Sequence, residues 1–245
     1  MNVKDEQEDN NMMQKRKFPW FAEQTWIHTL FLHWPVTPET LKSFIPAPLE
    51  VDTYNGSAWI TIAAFHAENS KLRLSPKWTS LDPVTQINVR TYVTAPGSDE
   101  KGVYFFSLYV KHLTASLGAQ SLFNLPFTYA RTSMQEKPDE TITVRAENAG
   151  KTLFSATYHP NVQERKDSSL GIYLAERYCI WNMKGNQLIK IPIKHESWEL
   201  FEVDATVHTN HLLPIETGAV KPEMYYSPLK KAFIYPYENL LKTGE

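Results

Sequence analysis

Alternating apolar and polar positions, rich in β-branched and aromatic residues, recur from residue 58 to residue 209. This period of two predicts strands. They are expected at Ala58–His66, Thr85–Thr94, Val103–Lys111, Thr141–Glu147, Thr152–His159, Gln187–His195 and Trp198–Thr209. Helical spacing is confined to three short segments, Thr37–Ile45, Thr114–Asn124 and Ser168–Tyr178. Regular βαβ alternation is absent, so the pattern predicts a mainly β (α+β) fold, a curved and largely antiparallel sheet or barrel.

One predicted strand carries a polar face. Alternation places Gln86, Asn88, Arg90 and Tyr92 on one side and Ile87, Val89 and Val93 on the other. Two interpretations stay open. The polar face either points to solvent, or it lines the inside of a barrel, where Arg90 would clamp a carboxylate or phosphate in a bidentate manner.

Composition narrows the class of protein. The net charge of the 245-residue chain is −2, which does not favour nucleic acid or anionic membrane. No apolar run reaches the roughly 18 residues of a spanning helix, and the N-terminus has no apolar signal region, so we expect a cytoplasmic protein. The single cysteine, Cys179, excludes an internal disulfide framework and is expected to be a buried residue on a helix.

The first segment differs from the rest. Residues 1–17 contain eight charged side chains and no aromatic residue, which predicts a disordered tail. Residues 18–245 have even composition and no linker or repeat, which predicts a single domain.

Motifs for metal and serine chemistry are missing from the sequence. His208 and His211 have a two-residue spacer that a strand would split between its faces, and no HExxH or Gly-x-Ser-x-Gly motif occurs. The sequence therefore predicts no metal site and no cofactor.

Several segments together carry a family resemblance. They are Leu41–Asp52 with its Pro46-Ala-Pro48 turn, Gly56–Ile60, Asn88–Val93, Gly102–Leu108, Leu174–Tyr178 and His195–Leu200. In this order and spacing they resemble the uncharacterised YqjF-like family, DUF2071, over about residues 20–240. That family is in turn similar to acetoacetate decarboxylase, which implies a cone-shaped β-barrel with its site inside.

The segment Gly118–Thr128 departs from the decarboxylase pattern. Where that enzyme has Pro-Lys-Lys, with the first lysine forming a Schiff base, this chain has Pro126, Phe127 and Thr128. Neither replacement carries an amine. A Schiff-base decarboxylase is therefore not expected to operate through this position.

Six candidate ligand-binding residues follow from the pattern and the resemblance: Gln86, Asn88, Arg90, Tyr109, Phe127 and Arg177. YqjF-like proteins typically carry the Asn88-x-Arg90 pair, often with glutamate at the position of Gln86. Tyr109 shares alternation with Ser107 and with Lys111, and Lys111 is a candidate for a displaced catalytic amine. Arg177 is either a brace for helix-end carbonyls or part of the site.

Three functions remain open at this point. The chain binds a small acidic or carbonyl-bearing molecule inside a barrel, or it catalyses carbonyl or keto-acid chemistry without a Schiff base. The third is an oligomeric structural or interaction protein whose barrel is filled by side chains. A small-molecule ligand is the expected partner, and a homo-oligomer is compatible with all three.

Overall fold

The computed structural model describes residues 19–73, 83–112 and 124–242. Within these ranges lie two helices, α1 Pro38–Lys42 and α2 Ser169–Ala175. The strands are β1 Ala22–Val36, β2 Glu50–Val51, β3 Ala58–Leu72, β4 Val84–Thr94, β5 Gly102–Val110, β6 Phe127–Tyr129, β7 Arg131–Glu136, β8 Ile142–Asn148, β9 Lys151–Arg165, β10 Cys179–Lys184, β11 Gln187–His195, β12 Phe201–Asn210, β13 Glu223–Ile234 and β14 Glu238–Lys242.

All seven predicted strand regions contain strands, and the mainly β prediction is confirmed. The prediction that Cys179 lies on a helix is wrong, because α2 ends at Ala175 and Cys179 begins β10. The physical reason is strand pairing. Residues 179–184 form a regular antiparallel ladder with β11, which satisfies their backbone hydrogen-bonding groups. The predicted tail, residues 1–17, and residues 114–123 of the predicted middle helix lie outside the described residues.

Seven strands form a closed ring in the order β11-β10-β5-β4-β3-β1-β13, and β13 pairs again with β11 through Ile193↔Ile234 and its neighbours. Pairing is largely antiparallel. Within the described ranges, β5 pairs in parallel with β10 and β6. Strands β12, β9, β8 and β7 continue from β13 as a second layer, and β14 pairs with β11.

Alternation in the ring strands produces the two larger of the three hydrophobic clusters in the described residues. Phe31, Trp59, Tyr92 and Tyr225 belong to a cluster inside the ring, which we call the inner core. Leu30, Ile60, Val89 and Tyr226, from the opposite faces of the same strands, pack with Val144 and Phe154 of the second layer to form the outer core. Both faces of β1, β3 and β4 are therefore buried.

A bulge in β5 changes which residues face inward. Val89 pairs with Ser107 and Arg90 pairs with Phe105, so Phe106 is an extra residue on β5. Val103 and Phe105 before the bulge and Leu108 after it all belong to the inner core.

Helix α2 packs against the inner core. The Ser168 hydroxyl accepts a hydrogen bond from the backbone N–H of Gly171 and caps the helix. Leu174 and Ala175 are buried in the inner core, so this helix contributes to the packing inside the ring. Neither helix of the described ranges is long and apolar enough to cross a membrane.

Candidate functional site

The polar face of β4 points into the ring and not to solvent. Asn88 and Tyr92 are buried, and their neighbours Ala63 and Trp59 on β3 belong to the inner core. Arg90 pairs with Thr61 of β3 and lies between them on the same face. Of the two sequence interpretations, the structure shows the inward-facing one.

Arg90 carries a positive charge that has little compensation. Its Nε and Nη2 atoms are buried and have no hydrogen-bond partner among the described residues. Its Cζ lies 5.6 Å from the centroid of the Phe31 ring, a weak cation–π contact. Burial lowers the pKa of this guanidinium; the Tyr92 phenol opposes the shift and Arg177 adds to it. The group nevertheless stays protonated, as arginine does throughout the ordinary pH range.

Arg177, in contrast, is largely paired. Its Nη1 donates to Asp52 Oδ2 at 2.7 Å, and its Nε donates to the Tyr173 carbonyl at the end of α2. The guanidinium lies against two tyrosine rings, 4.2 Å from the centroid of Tyr173 and 4.9 Å from that of Tyr92. Arg177 therefore braces α2 and the Asp52 loop, while its Nη2 stays buried without a partner.

Unsatisfied polar atoms concentrate in this part of the molecule. In the described ranges, eight buried side-chain nitrogen or oxygen atoms have no hydrogen-bond partner. All but one, the hydroxyl of Ser70, belong to residues that line or close the ring interior: Thr29, Trp59, Arg90, Tyr173, Arg177 and Ser227. Four of these atoms are N–H donors, and an unmet buried donor costs about 1–3 kcal/mol. The interior is thus rich in donors and positive charge.

A compact hydrogen-bond network lies next to Arg90. His33 Nδ1 is 2.7 Å from Thr61 Oγ1 and 3.1 Å from Tyr92 Oη, and these two oxygens are 2.8 Å apart. His33 is fully buried between the rings of Phe31 and Tyr225. Burial lowers its pKa well below the ordinary value, and the charges of Arg90 and Lys166 lower it further. The imidazole is therefore neutral at pH 7.

The other candidate residues are not equally close. Gln86 donates to Asn88 Oδ1 at 2.7 Å, so this pair satisfies part of its own polarity. Phe127 is half-buried at the start of β6 and packs against the inner core. Lys111, proposed as a displaced amine, is exposed.

Tyr109 is placed differently from expectation. Uninterrupted alternation would keep Tyr109 with Ser107 and with the inward residues Val103 and Phe105, but the bulge at Phe106 reverses the faces. Tyr109 packs against the outer core, separated from Arg90 by the sheet.

Sequence reasoning missed His33, Thr61 and Asp52 as members of the site. The predicted strands do not include residues 22–36, because residues 29–34 of β1 are buried on both faces and the segment lacks clean alternation. The sequence signal that could have indicated this strand is the placement of Phe31 and His33 at alternate positions, with Leu30 and Leu32 on the opposite face.

Comparison with known proteins identifies the family. A family model described as an uncharacterized conserved protein, DUF2071, matches residues 23–230. The chain belongs to the DUF2071 family. It is also 34% identical over 227 residues to the uncharacterized protein YqjF of Bacillus subtilis (strain 168), covering 86% of this chain and 93% of that protein.

Solved structures show the fold. An acetoacetate decarboxylase-like enzyme from Sphingomonas wittichii RW1 is similar, with a TM-score of 0.63, 13% identity, and coverage of 92% of this chain and 95% of that one. The enduracididine biosynthesis enzyme MppR complexed with pyruvate gives a TM-score of 0.64 at 8% identity, covering 94% and 95% of the two chains. This DUF2071 chain therefore has the acetoacetate decarboxylase-like fold.

Proposed function

We propose that this DUF2071 protein binds a small acidic or carbonyl-bearing molecule inside its strand ring, with Arg90 as the main anchor. The observation that carries the proposal is the group of four buried N–H donors without acceptors, two of them on Arg90. A carboxylate supplies both the missing acceptors and the missing negative charge. Unpaired buried donors are rare in folded proteins, and each calls for a specific explanation such as a bound ion, a water molecule or a functional role.

The chemistry of the surrounding residues supports a small ligand. Aromatic side chains of the inner core would enclose its apolar part, while Arg90, Arg177 Nη2 and Trp59 Nε1 offer oriented donors. MppR, which shares the fold, was solved with pyruvate, so pyruvate is a reasonable first probe.

Calorimetric titration with pyruvate tests the proposal, with methyl pyruvate as the uncharged comparison. We expect pyruvate to bind and methyl pyruvate to bind at least tenfold more weakly, since charged hydrogen bonds contribute about 1.5–3 kcal/mol. Arg90→Met removes the donors and keeps an apolar side chain, whereas Arg145→Met alters an exposed arginine on β8 and is the matched control. Binding that survives Arg90→Met contradicts the role of Arg90 as the anchor. Absence of binding to the native protein contradicts the proposal as a whole and favours a filled, structural ring.

A second candidate function is carbonyl chemistry without a Schiff base. The observation that favours it is the neutral His33 beside Arg90, because a base next to a cationic carbonyl-binding group is suited to proton transfer.

Borohydride reduction separates this function from Schiff-base chemistry. Reduction in the presence of pyruvate should leave the protein mass unchanged, because Phe127 and Thr128 have no amine. Trapped adduct would contradict the expectation and direct attention to Lys230, a buried amine whose pKa is lowered by burial.

A further inference from the structure

We infer that His33 is the proton-transferring group of this site, acting through Nε2 on the carbon adjacent to the carbonyl of a 2-keto acid held by Arg90. The inference rests on the proposed function and names its substrate class. The resulting activity is reversible enolisation of the keto acid.

The geometry assigns different tasks to the two ring nitrogens. Nδ1 is engaged by Thr61 and Tyr92, while Nε2 has no hydrogen-bond partner among the described residues. Because one nitrogen is held by two hydroxyls, the ring plane is fixed. A fixed ring with one free nitrogen is the arrangement that a general base requires.

Hydrogen-bond accounting selects the tautomer. If Nδ1 carries the proton, it donates to Thr61 Oγ1, and the Thr61 hydroxyl then donates to Tyr92 Oη. Nε2 keeps its lone pair in this arrangement, and the Tyr92 proton is free to reach a ligand oxygen. The other tautomer would place one more N–H donor in an interior that already has four unpaired ones.

The step balances without any further reactant. Nε2 takes a proton from the carbon next to the carbonyl, and the C–H electron pair becomes the C=C bond of the enolate. The carbonyl π pair moves onto oxygen, where Arg90 and the Tyr92 O–H stabilise the negative charge. His33 is then an imidazolium ion, and return of a proton to carbon restores the keto acid. In D₂O the returned particle is a deuteron.

Proton NMR of pyruvate in D₂O measures this reaction through loss of the methyl signal. We expect the native protein to catalyse exchange, and His33→Gln to lower the exchange rate at fixed saturation by about 100-fold or more, as loss of a general base does. Pyruvate affinity should change less than about threefold. His208→Gln is the matched control, because His208 is exposed on β12 and also bonds a threonine hydroxyl, Thr157 Oγ1 at 3.0 Å.

Two readouts separate catalysis from a structural role. Nitrogen-15 chemical shifts of His33 in the native protein should show a neutral ring protonated on Nδ1 at pH 7. This measurement does not depend on whether the His33 variant folds. The exchange rate should rise with pH as the imidazole loses its proton and then level off. The titratable and polar groups that face the imidazole are Arg90 and Tyr92 on β4, Thr61 on β3, Tyr225 on β13, and Lys166.

The outcomes are distinct. Pyruvate that binds without exchanging overturns the role of His33 and leaves the binding function standing. Exchange that persists in His33→Gln, or a ring protonated on Nε2, also overturns the role. Pyruvate that does not bind at all overturns both.

Discussion

Arg90 and Arg177 both have buried guanidinium nitrogens, but the two side chains differ in burial and in compensation: Arg90 is partly exposed and Arg177 is buried. Arg177 is paired with Asp52, whereas Nε and Nη2 of Arg90 have no acceptor among the described residues. Replacing an unpaired buried charge by an apolar group removes a desolvation cost and stabilises the fold. Removing one partner of a buried ion pair leaves the other charge buried without compensation and destabilises the fold.

The two arginines should therefore respond in opposite directions to the same substitution. Arg90→Met should raise the free energy of unfolding by about 1 kcal/mol or more, while Arg177→Met should lower it by about 3 kcal/mol because Asp52 stays buried. Lys101, which contacts Asp52 at 3.2 Å, limits the second effect. Urea unfolding measures both, and equal losses in the two variants would show that Arg90 is paired after all.

His33 links stability to pH. Its pKa is depressed in the folded protein, so below the unfolded value of about 6.5 the unfolded chain binds a proton that the folded chain does not. The contribution of His33 to the free energy of unfolding is therefore fully present above that pH and is lost as the pH falls below it. Burial also lowers the pKa values of His66 and His195, which act in the same direction.

His33→Gln should remove the contribution of this residue. Between pH 7.5 and pH 5.5 the variant should lose about 1 kcal/mol less unfolding free energy than the native protein, since one pKa unit corresponds to about 1.4 kcal/mol. Urea curves at the two pH values, with His208→Gln as control, provide the measurement. Parallel losses in all three proteins would refute a depressed pKa at His33.

For individual residues, the sequence allowed part of the candidate site to be predicted. Asn88, Arg90 and Tyr92 alternate with apolar residues, and that period requires them to share a face. His33 escaped prediction because β1 is apolar on both sides and His28 interrupts its pairing with a positive φ of 52°.

Among the elements, β5 and β10 form the shortest ladder of the ring, with Ile180↔Val103 as its one parallel pair. Gly102 lies beside it. An added Cβ at Gly102 would lie 2.5 Å from Trp181 Cδ1 and 2.8 Å from the backbone oxygen of Cys179. Close approach of two strands thus depends on the missing side chain.

Gly102→Ala should lower the free energy of unfolding by about 1–3 kcal/mol, the usual cost of overpacking. Cys179→Ala should not rescue it, because the backbone oxygen remains in contact. Thermal unfolding followed by circular dichroism would show both effects. A cost no greater than that of Ser98→Ala, in the neighbouring turn, would mean that the strands can separate without penalty.

The β5 bulge shows where reasoning about elements fails. The strand itself was predictable from its aromatic and β-branched residues, but one extra residue at Phe106 moved Tyr109 from the inner to the outer core. The residues on either side of Phe106, from Val103 to Val110, include no glycine or other residue that indicates a bulge. Its position is set by pairing with β4.

For the whole molecule, two cores separate stability from ligand contact. Phe31 and Phe154 are equally buried, but Phe31 belongs to the inner core beside Arg90 and Phe154 to the outer core. Both contribute to folding through apolar burial, and Phe31 alone of the two lies on the ligand side.

Phe31→Leu and Phe154→Leu should each lower the free energy of unfolding by about 1–3 kcal/mol. Only Phe31→Leu should change pyruvate affinity. Denaturant unfolding and calorimetric titration on the same samples test this separation. An equal loss of affinity in Phe154→Leu would show that the two cores act as one unit.

The overall fold was predictable chiefly through family resemblance. Local pattern indicated strands, but ring closure joins β1 to β13, about 200 residues later in the chain. Such pairing depends on side chains that meet only after folding, and no local period specifies it.

The unmatched donors inside the ring also affect how the protein should be handled. An anion that binds only the folded state stabilises it by RT ln(1 + [L]/Kd), about 2.7 kcal/mol at one hundred times Kd. Under the binding function proposed above, acetate, phosphate or citrate in a purification buffer is a competing ligand. Melting temperatures from such a buffer belong to an occupied protein, and only those taken in a cationic buffer with a weakly interacting counterion describe the empty one.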